Sequence, residues 1–269
     1  MNANLTTEAA QAWNFYHNPR QPYDDFLVEY IFKPMRLEVV RRNYNRALAN
    51  FSAEISYLPH RLTHFYGLVG DDWFKEIIAL IEAGGIHELY DFLAVAANRS
   101  QAQGYIAAAK IPQPSLMGWL EYLKGFWFPF PANLRQLVDP GDPRVDKILV
   151  RLKTLKIANS LALLDAAADE KGRAWLASQA EIDADGLLDL VHRADVSRLP
   201  YVSGGAVKRL WAMGYRSLEA IRAADETEYQ ERITAYFAAG GKGWGFDAQL
   251  DNIRIFLRDA QLVPTVLAA

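Results

Sequence analysis

The feature that most constrains the fold is an internal echo. Arg151–Ile157 (RLKTLKI) aligns with Arg209–Tyr215 (RLWAMGY), 58 positions later. Ser160–Ala167 (SLALLDAA) aligns with Ser217–Ala224 (SLEAIRAA), 57 positions later. Each second block runs into an acidic turn, Asp169-Glu170 and Asp225-Glu226. Self-similarity at a fixed period marks one supersecondary unit used more than once, with copies that bury their apolar faces on each other. Glu181 to Arg193 reads as the helix joining the copies. A third echo, Ala79–Ile86 (ALIEAGGI), is too short to count.

Spacing elsewhere is helical. In Asp24–Asn50, Phe26, Leu27, Tyr30 and Ile31 precede a break at Pro34, and Leu37, Val40, Tyr44 and Leu48 follow it. Steps of three and four place such residues on one helix face. Asp72–Ala83 is a second helical run, stopped by Gly84-Gly85, and His87–Ala97 and Ser115–Gly125 are two more. No run alternates as a strand would. The expected class is all-α.

Phe128-Pro-Phe-Pro-Ala132 is the candidate boundary, because prolines separated by one residue stop helices on both sides. Its aromatics are too apolar for a free linker. The expected division is a helical domain over 1–136 and a second domain over 137–269. The second domain closes with a helix from Asp247 to Arg258, with Leu250, Ile253, Ile255, Phe256 and Ala260 as its apolar stripe.

Arg198–Leu210 (RLPYVSGGAVKRL), continued by Trp-Ala-Met-Gly-Tyr-Arg-Ser-Leu-Glu-Ala-Ile221, resembles a helix-hairpin-helix unit. Leu163-Leu-Asp165, Gly172-Arg-Ala-Trp-Leu176 and Ala194-Asp-Val-Ser-Arg-Leu199 extend the likeness. Over roughly residues 137–238 the chain resembles an uncharacterised bacterial family of tandem helix-hairpin-helix proteins, a domain of unknown function. The resemblance implies a tandem helix-hairpin-helix domain and says little about activity.

In helix-hairpin-helix proteins the hairpin reads Leu-Pro-Gly-Val-Gly, and its amides, with those of the next helix turn, point at a phosphate. Unsatisfied N–H groups and the positive end of the helix dipole favour an anion there. Carried onto this chain, Leu199, Pro200 and Val202 match the hairpin, Lys208 and Arg209 the phosphate-side cations, and Leu210 the core. The resulting candidate site is Arg198, Ser203, Gly204, Gly205, Ala206, Lys208 and Arg209. Two positions depart: Tyr201 and Ser203 stand where the pattern has glycine. Positive φ at a tyrosine is strained, so the turn could differ, and Gly204-Gly205 could shift it. Ser203 could instead cap the following helix. In the first copy Asp139-Pro-Gly-Asp-Pro143 fills the hairpin. Its carboxylates repel phosphate.

Net charge is −3, so a basic surface for nucleic acid must be local. Arg198, Lys208, Arg209 and Arg216 face Asp195 alone in 195–216, and Arg144, Lys147, Arg151, Lys153 and Lys156 form a second cluster with Asp146. Contacts of this kind reach the DNA or RNA backbone without reading sequence. The competing account is that these cations solvate helix faces while Tyr201 and Trp211 fill core.

Catalytic signals are thin. His60 and His64 sit one helical turn apart, the spacing of a metal pair, with Asp71 and Asp72 following, but no His-Glu-x-x-His motif accompanies them. His17 lies in a Pro-punctuated polar segment, which reads either as a ligand-binding loop or as an ordered N-terminal arm. Asp183, Asp185 and Asp189 do not complete a calcium loop and read as an acidic helix start. No glycine-rich nucleotide loop is present. Cysteine is absent, which fits a reducing compartment. No secretory leader and no membrane-spanning run is seen, so a cytoplasmic protein is expected. The expected function is a non-enzymatic interaction or scaffold protein without cofactor, acting on an unknown protein partner or on itself. The alternative is weak, non-sequence-specific nucleic-acid binding through the second hairpin.

Overall fold

The computed structural model describes residues 45–55, 71–97, 131–200, 202–243 and 248–267, with isolated positions at 41, 101, 104, 105 and 108. The chain divides into two compact units, Met1–Gly125 and Phe126–Ala269. The described residues are helices and turns with no strand, as the all-α reading requires.

In the first unit, α1 (Leu48–Ile55), α2 (Asp71–Ala83) and α3 (Leu89–Ala97) are described. Leu48 and Phe51 of α1 are buried, as are Ile77, Ile78 and Ile81 of α2 and Leu89, Phe92 and Leu93 of α3. The stop expected at Gly84-Gly85 is present. Gly85 takes φ 87°, and the Ile86 N–H donates to the Ile81 carbonyl at 3.4 Å. Ala47 and Glu88 form an isolated antiparallel bridge. The Ser115–Gly125 run and most of Asp24–Asn50 lie outside the described residues.

The second unit runs from a short 3-10 turn, Leu134–Gln136, through eight helices among the described residues. These are α4 (Pro143–Thr154), α5 (Ser160–Ala167), α6 (Glu170–Ala180), α7 (Ala184–Val196), α8 (Gly204–Ala212), α9 (Leu218–Ala223), α10 (Glu226–Ala238) and α11 (Leu250–Leu262). Short polar side chains start them. Asp142, Asn159, Asp169, Asp183, Ser203, Ser217 and Asp225 each accept a backbone N–H of the first turn. Asp183 therefore caps α7, the acidic helix start expected from its sequence. Leu134, Leu137 and Val138 belong to this unit's core, which thus begins ahead of residue 137.

The aligned segments end their first helices in the same way. The Ile157 N–H donates to Leu152 O at 3.0 Å, and the Tyr215 N–H to Leu210 O at 2.9 Å. Between them, Lys156 and Gly214 adopt left-handed φ of 62° and 90°. This is the closure of a helix C-terminus by a 6→1 hydrogen bond. It places Leu152 and Leu210, both buried, directly beneath the following turn. α4 is the longer helix, with 12 residues against 9 in α8.

Packing has a consistent order. α7 lies against α4, α5 and α6, and also against α9. α11 lies against α9 and α10. One core runs through the unit, from Leu134 and Leu152 by way of Leu190, Val191, Leu210 and Ile233 to Ile253 and Ala260. The terminal helix begins and ends later than the expected Asp247–Arg258. Within its expected stripe Ile253 and Ala260 are buried, while Leu250 is exposed.

Candidate functional site

The approach to α8 is built from the inside. Ala194 to Pro200 is continuously buried. The Arg198 N–H donates to Asp195 O and the Leu199 N–H to Val196 O, each at 3.1 Å, so the end of α7 tightens into a turn. Ser197 Oγ donates to Ala194 O at 2.7 Å. The Val202 N–H then donates to Leu199 O at 3.1 Å, closing a four-residue turn. Tyr201 lies outside the described residues.

Ser203 is the N-cap of α8, with extended backbone (φ −75°) and Oγ accepting the Ala206 N–H at 3.4 Å. One of the amides expected to face phosphate is thus occupied by the chain's own hydroxyl. Gly204 has a packing reason. A Cβ there would collide with the carbonyl oxygen of Gln136, so the first turn of α8 rests on the 3-10 turn. Gly205 has none, since a Cβ would meet only Ser203 Oγ at 3.7 Å, and the residue is exposed.

The cations separate sharply. Arg198, expected on the phosphate side, is buried with 0% side-chain exposure. It is ion-paired with Asp195, Nε to Oδ1 at 2.8 Å, and its Nη2 donates to Pro264 O at 2.8 Å. It does not belong to an exposed phosphate mouth. Burial pushes the Asp195 carboxyl above its usual range, with the Arg198 charge and hydrogen bond opposing. Lys208 and Arg209 are half-buried on α8. The Arg209 guanidinium lies against Gly243, where a Cβ would come within 2.6 Å of Nη1. Arg216 is exposed.

The cluster on and near α4 is partly neutralised at the surface. Arg144 pairs with Asp183, Arg151 with Glu181 at 3.0 Å, and Arg135 with Asp146. The hydrogen bonds from Arg144 and from the Gly186 N–H hold the Asp183 carboxyl below its usual range. Lys147, Lys153 and Lys156 are exposed. Asp142 caps α4 by accepting from the Arg144 N–H at 2.9 Å, so a carboxylate stands at this helix mouth.

Three features go beyond the sequence reading, which had Trp211 as core in one of its two accounts but named none of its partners. Asp189 accepts from Trp211 Nε1 and from Arg193 Nε, both at 2.7 Å. Arg193 lies 4.6 Å over the Trp211 ring and donates to Leu137 O at 2.9 Å. Trp211 therefore fills core with its N–H satisfied, tying α8 to α7. Second, Arg222 of α9 donates to Ala260 O at 2.8 Å, to Val263 O and to Thr265 Oγ1 at 3.0 Å, clamping the segment after α11. Third, Trp175 of α6 is 56% exposed. The i, i+4 spacing of Asp189 and Arg193 was readable in sequence; their shared partner on α8 was not.

His60, His64 and His17 lie outside the described residues. Among the described residues no group of three metal-ligating side chains occurs, and no helix is long and apolar enough to cross a membrane. No protein-family model, curated protein or solved structure matches the chain.

Proposed function

We propose that the second unit is a non-enzymatic interaction module, a tandem helix-hairpin-helix fold kept for packing and not for gripping nucleic acid. The observation that carries this reading is the burial of Arg198. A cation that a phosphate-binding hairpin would present to solvent is turned inward and consumed by Asp195 and Pro264 O. Ser203 capping and the Gly204–Gln136 contact support it, because they give the hairpin residues structural work of their own. The exposed indole of Trp175 supplies an apolar contact of the kind protein interfaces favour.

A second reading keeps one specific support. Gly205 is exposed at the first turn of α8 without a steric or backbone reason, beside the half-buried Lys208. A glycine there would let an anion approach the amides.

The deciding experiment is titration of full-length protein with duplex and single-stranded DNA by fluorescence anisotropy at low and moderate salt. The module reading expects no binding that weakens with salt. Duplex binding that loses about 0.9 log unit of affinity per log unit of salt for each phosphate neutralised, and that disappears in Lys208→Glu/Arg209→Glu with helical content intact, overturns it in favour of the second reading.

A further inference from the structure

The outer side of α4 carries a row of side chains that the fold does not use. Lys147, Val150 and Lys153 follow one another at steps of three, which makes them neighbours along one ridge of the helix surface. All three are exposed, and Val150, at 64%, is the most exposed large apolar side chain among the described residues. Ile148 and Leu152, on the other side, hold α4 in the core. Lys156 extends the row past the helix end, where its N–H donates to Lys153 O at 3.0 Å. It does so at φ 62°, a left-handed conformation that the aligned segment gives to Gly214. A lysine at a position that glycine fills without strain points to a use for its side chain. The other left-handed residue that is not glycine, Glu181, has its carboxylate matched to Arg151 at 3.0 Å.

The arginines around the row are already paired, Arg144 with Asp183, Arg151 with Glu181 and Arg135 with Asp146. Among the described residues no ion pair holds Lys147, Lys153 or Lys156. Three uncompensated ammonium groups around one bare apolar side chain are complementary to carboxylates that flank an apolar side chain. Nucleic acid is a poorer match. A phosphate chain, charged at every link, meets the exposed carboxylates of Asp139 and Asp142 at the head of the same helix and sets charge against Val150. A polypeptide can hold its carboxylates opposite the lysines and an apolar side chain opposite Val150.

We propose that the ridge of Lys147, Val150, Lys153 and Lys156 is an interaction surface for an acidic, amphipathic segment of a partner protein, with an apolar side chain set between carboxylates. The inference rests on the interaction-module reading and gives the partner its chemistry.

The probe is a labelled peptide in which each leucine has a glutamate three residues away on either side, titrated with full-length protein by fluorescence anisotropy at low salt. Binding is expected. Lys153→Glu/Lys156→Glu should weaken it about tenfold or more through two reversed contacts, and Val150→Ser about fivefold through lost apolar burial. Lys156→Gly relieves the backbone and leaves the fold secure, yet should still weaken binding about twofold to fivefold. Lys242→Gln, at an exposed lysine between α10 and α11, should change nothing. Absence of peptide binding overturns the proposal. So does binding that Lys242→Gln weakens as much as Lys156→Gly does, or that Val150→Ser leaves unaltered. Single-stranded DNA that displaces the peptide, and whose own binding is lost in Lys153→Glu/Lys156→Glu, overturns it in favour of a phosphate occupant. The module reading is decided separately, by the effect of Lys208→Glu/Arg209→Glu on the salt titration.

Discussion

Lys156 and Gly214 occupy the same place in the two aligned segments, one residue before the N–H that closes the helix, and both are left-handed. Glycine adopts that conformation freely; lysine pays a steric cost of about 1–2 kcal/mol. Lys156→Gly should therefore raise the stability of the second unit by about 1 kcal/mol. Gly214→Ala should lower it, since φ is 90° and a Cβ would also meet Arg232 Nη1 at 2.9 Å. Urea midpoints at constant m-value measure both.

The two adjacent glycines of α8 should behave oppositely. Gly204→Ala drives a methyl into the Gln136 carbonyl and should cost about 1–3 kcal/mol. Gly205→Ala meets only Ser203 Oγ, at an ordinary contact distance of 3.7 Å, and should stabilise by up to about 1 kcal/mol through helix propensity. Equal losses at the two positions in chemical unfolding would contradict this packing of α8 on the 3-10 turn.

Tyr215 is buried, stacked 5.5 Å from Tyr229, and its hydroxyl meets no hydrogen-bond partner among the described residues. Burial pushes its pKa up, with the Glu228 charge adding to the effect. The aligned residue in the first segment is Ile157, which has no such group to desolvate. Tyr215→Phe should stabilise the unit by about 1 kcal/mol, the low end of the cost of an unmet buried polar group. Thermal unfolding of the variant reads this directly.

Asp183 gives a pH dependence with a definite sign. Its folded pKa is depressed by Arg144 and by the Gly186 N–H. Its contribution is fully present above the ordinary carboxylate pKa of about 3.9 and disappears as pH falls through the lower folded value. Asp183→Asn keeps a capping oxygen but cannot ionise. The variant should be less stable than the parent near neutrality, and the difference should vanish in strong acid. A difference that persists undiminished in strong acid would exclude ionisation as its source.

Leu152 and Leu210 are fully enclosed beneath their turns. Each truncation to alanine should cost about 2–5 kcal/mol. Against a typical total of about 5–15 kcal/mol for a folded domain, either loss should be visible as a large shift of the urea midpoint.

Much of the fold was legible because it is local. The helical run over Asp72–Ala83 is present as α2, and the acidic start read at Asp183 caps α7. Expected and observed ends lie within a turn at Ala184–Val196 against Glu181–Arg193, while the terminal helix ends four residues past the expected Arg258. The candidate site was less legible. Arg198 is a surface cation by residue type and becomes a core residue only because Asp195 lies three positions back and Pro264 O arrives from 66 positions away. Gly204 looks like a phosphate-approach glycine until Gln136, far back in the chain, is placed against it. Long-range contacts decide such cases, and no short pattern carries them.

The seat of α7 has a consequence for how the second unit comes apart. A chain built from similar segments usually has a weak seam between them and can lose one end while keeping the other. Here the seam is itself a helix packed on both sides, pinned to α8 by Asp189, Arg193 and Trp211. Neither side can leave without stripping apolar surface from α7. Melting should therefore spread across the unit as a single event, and the slowest-exchanging amides should cluster on α7 and not divide into a protected half and an open one.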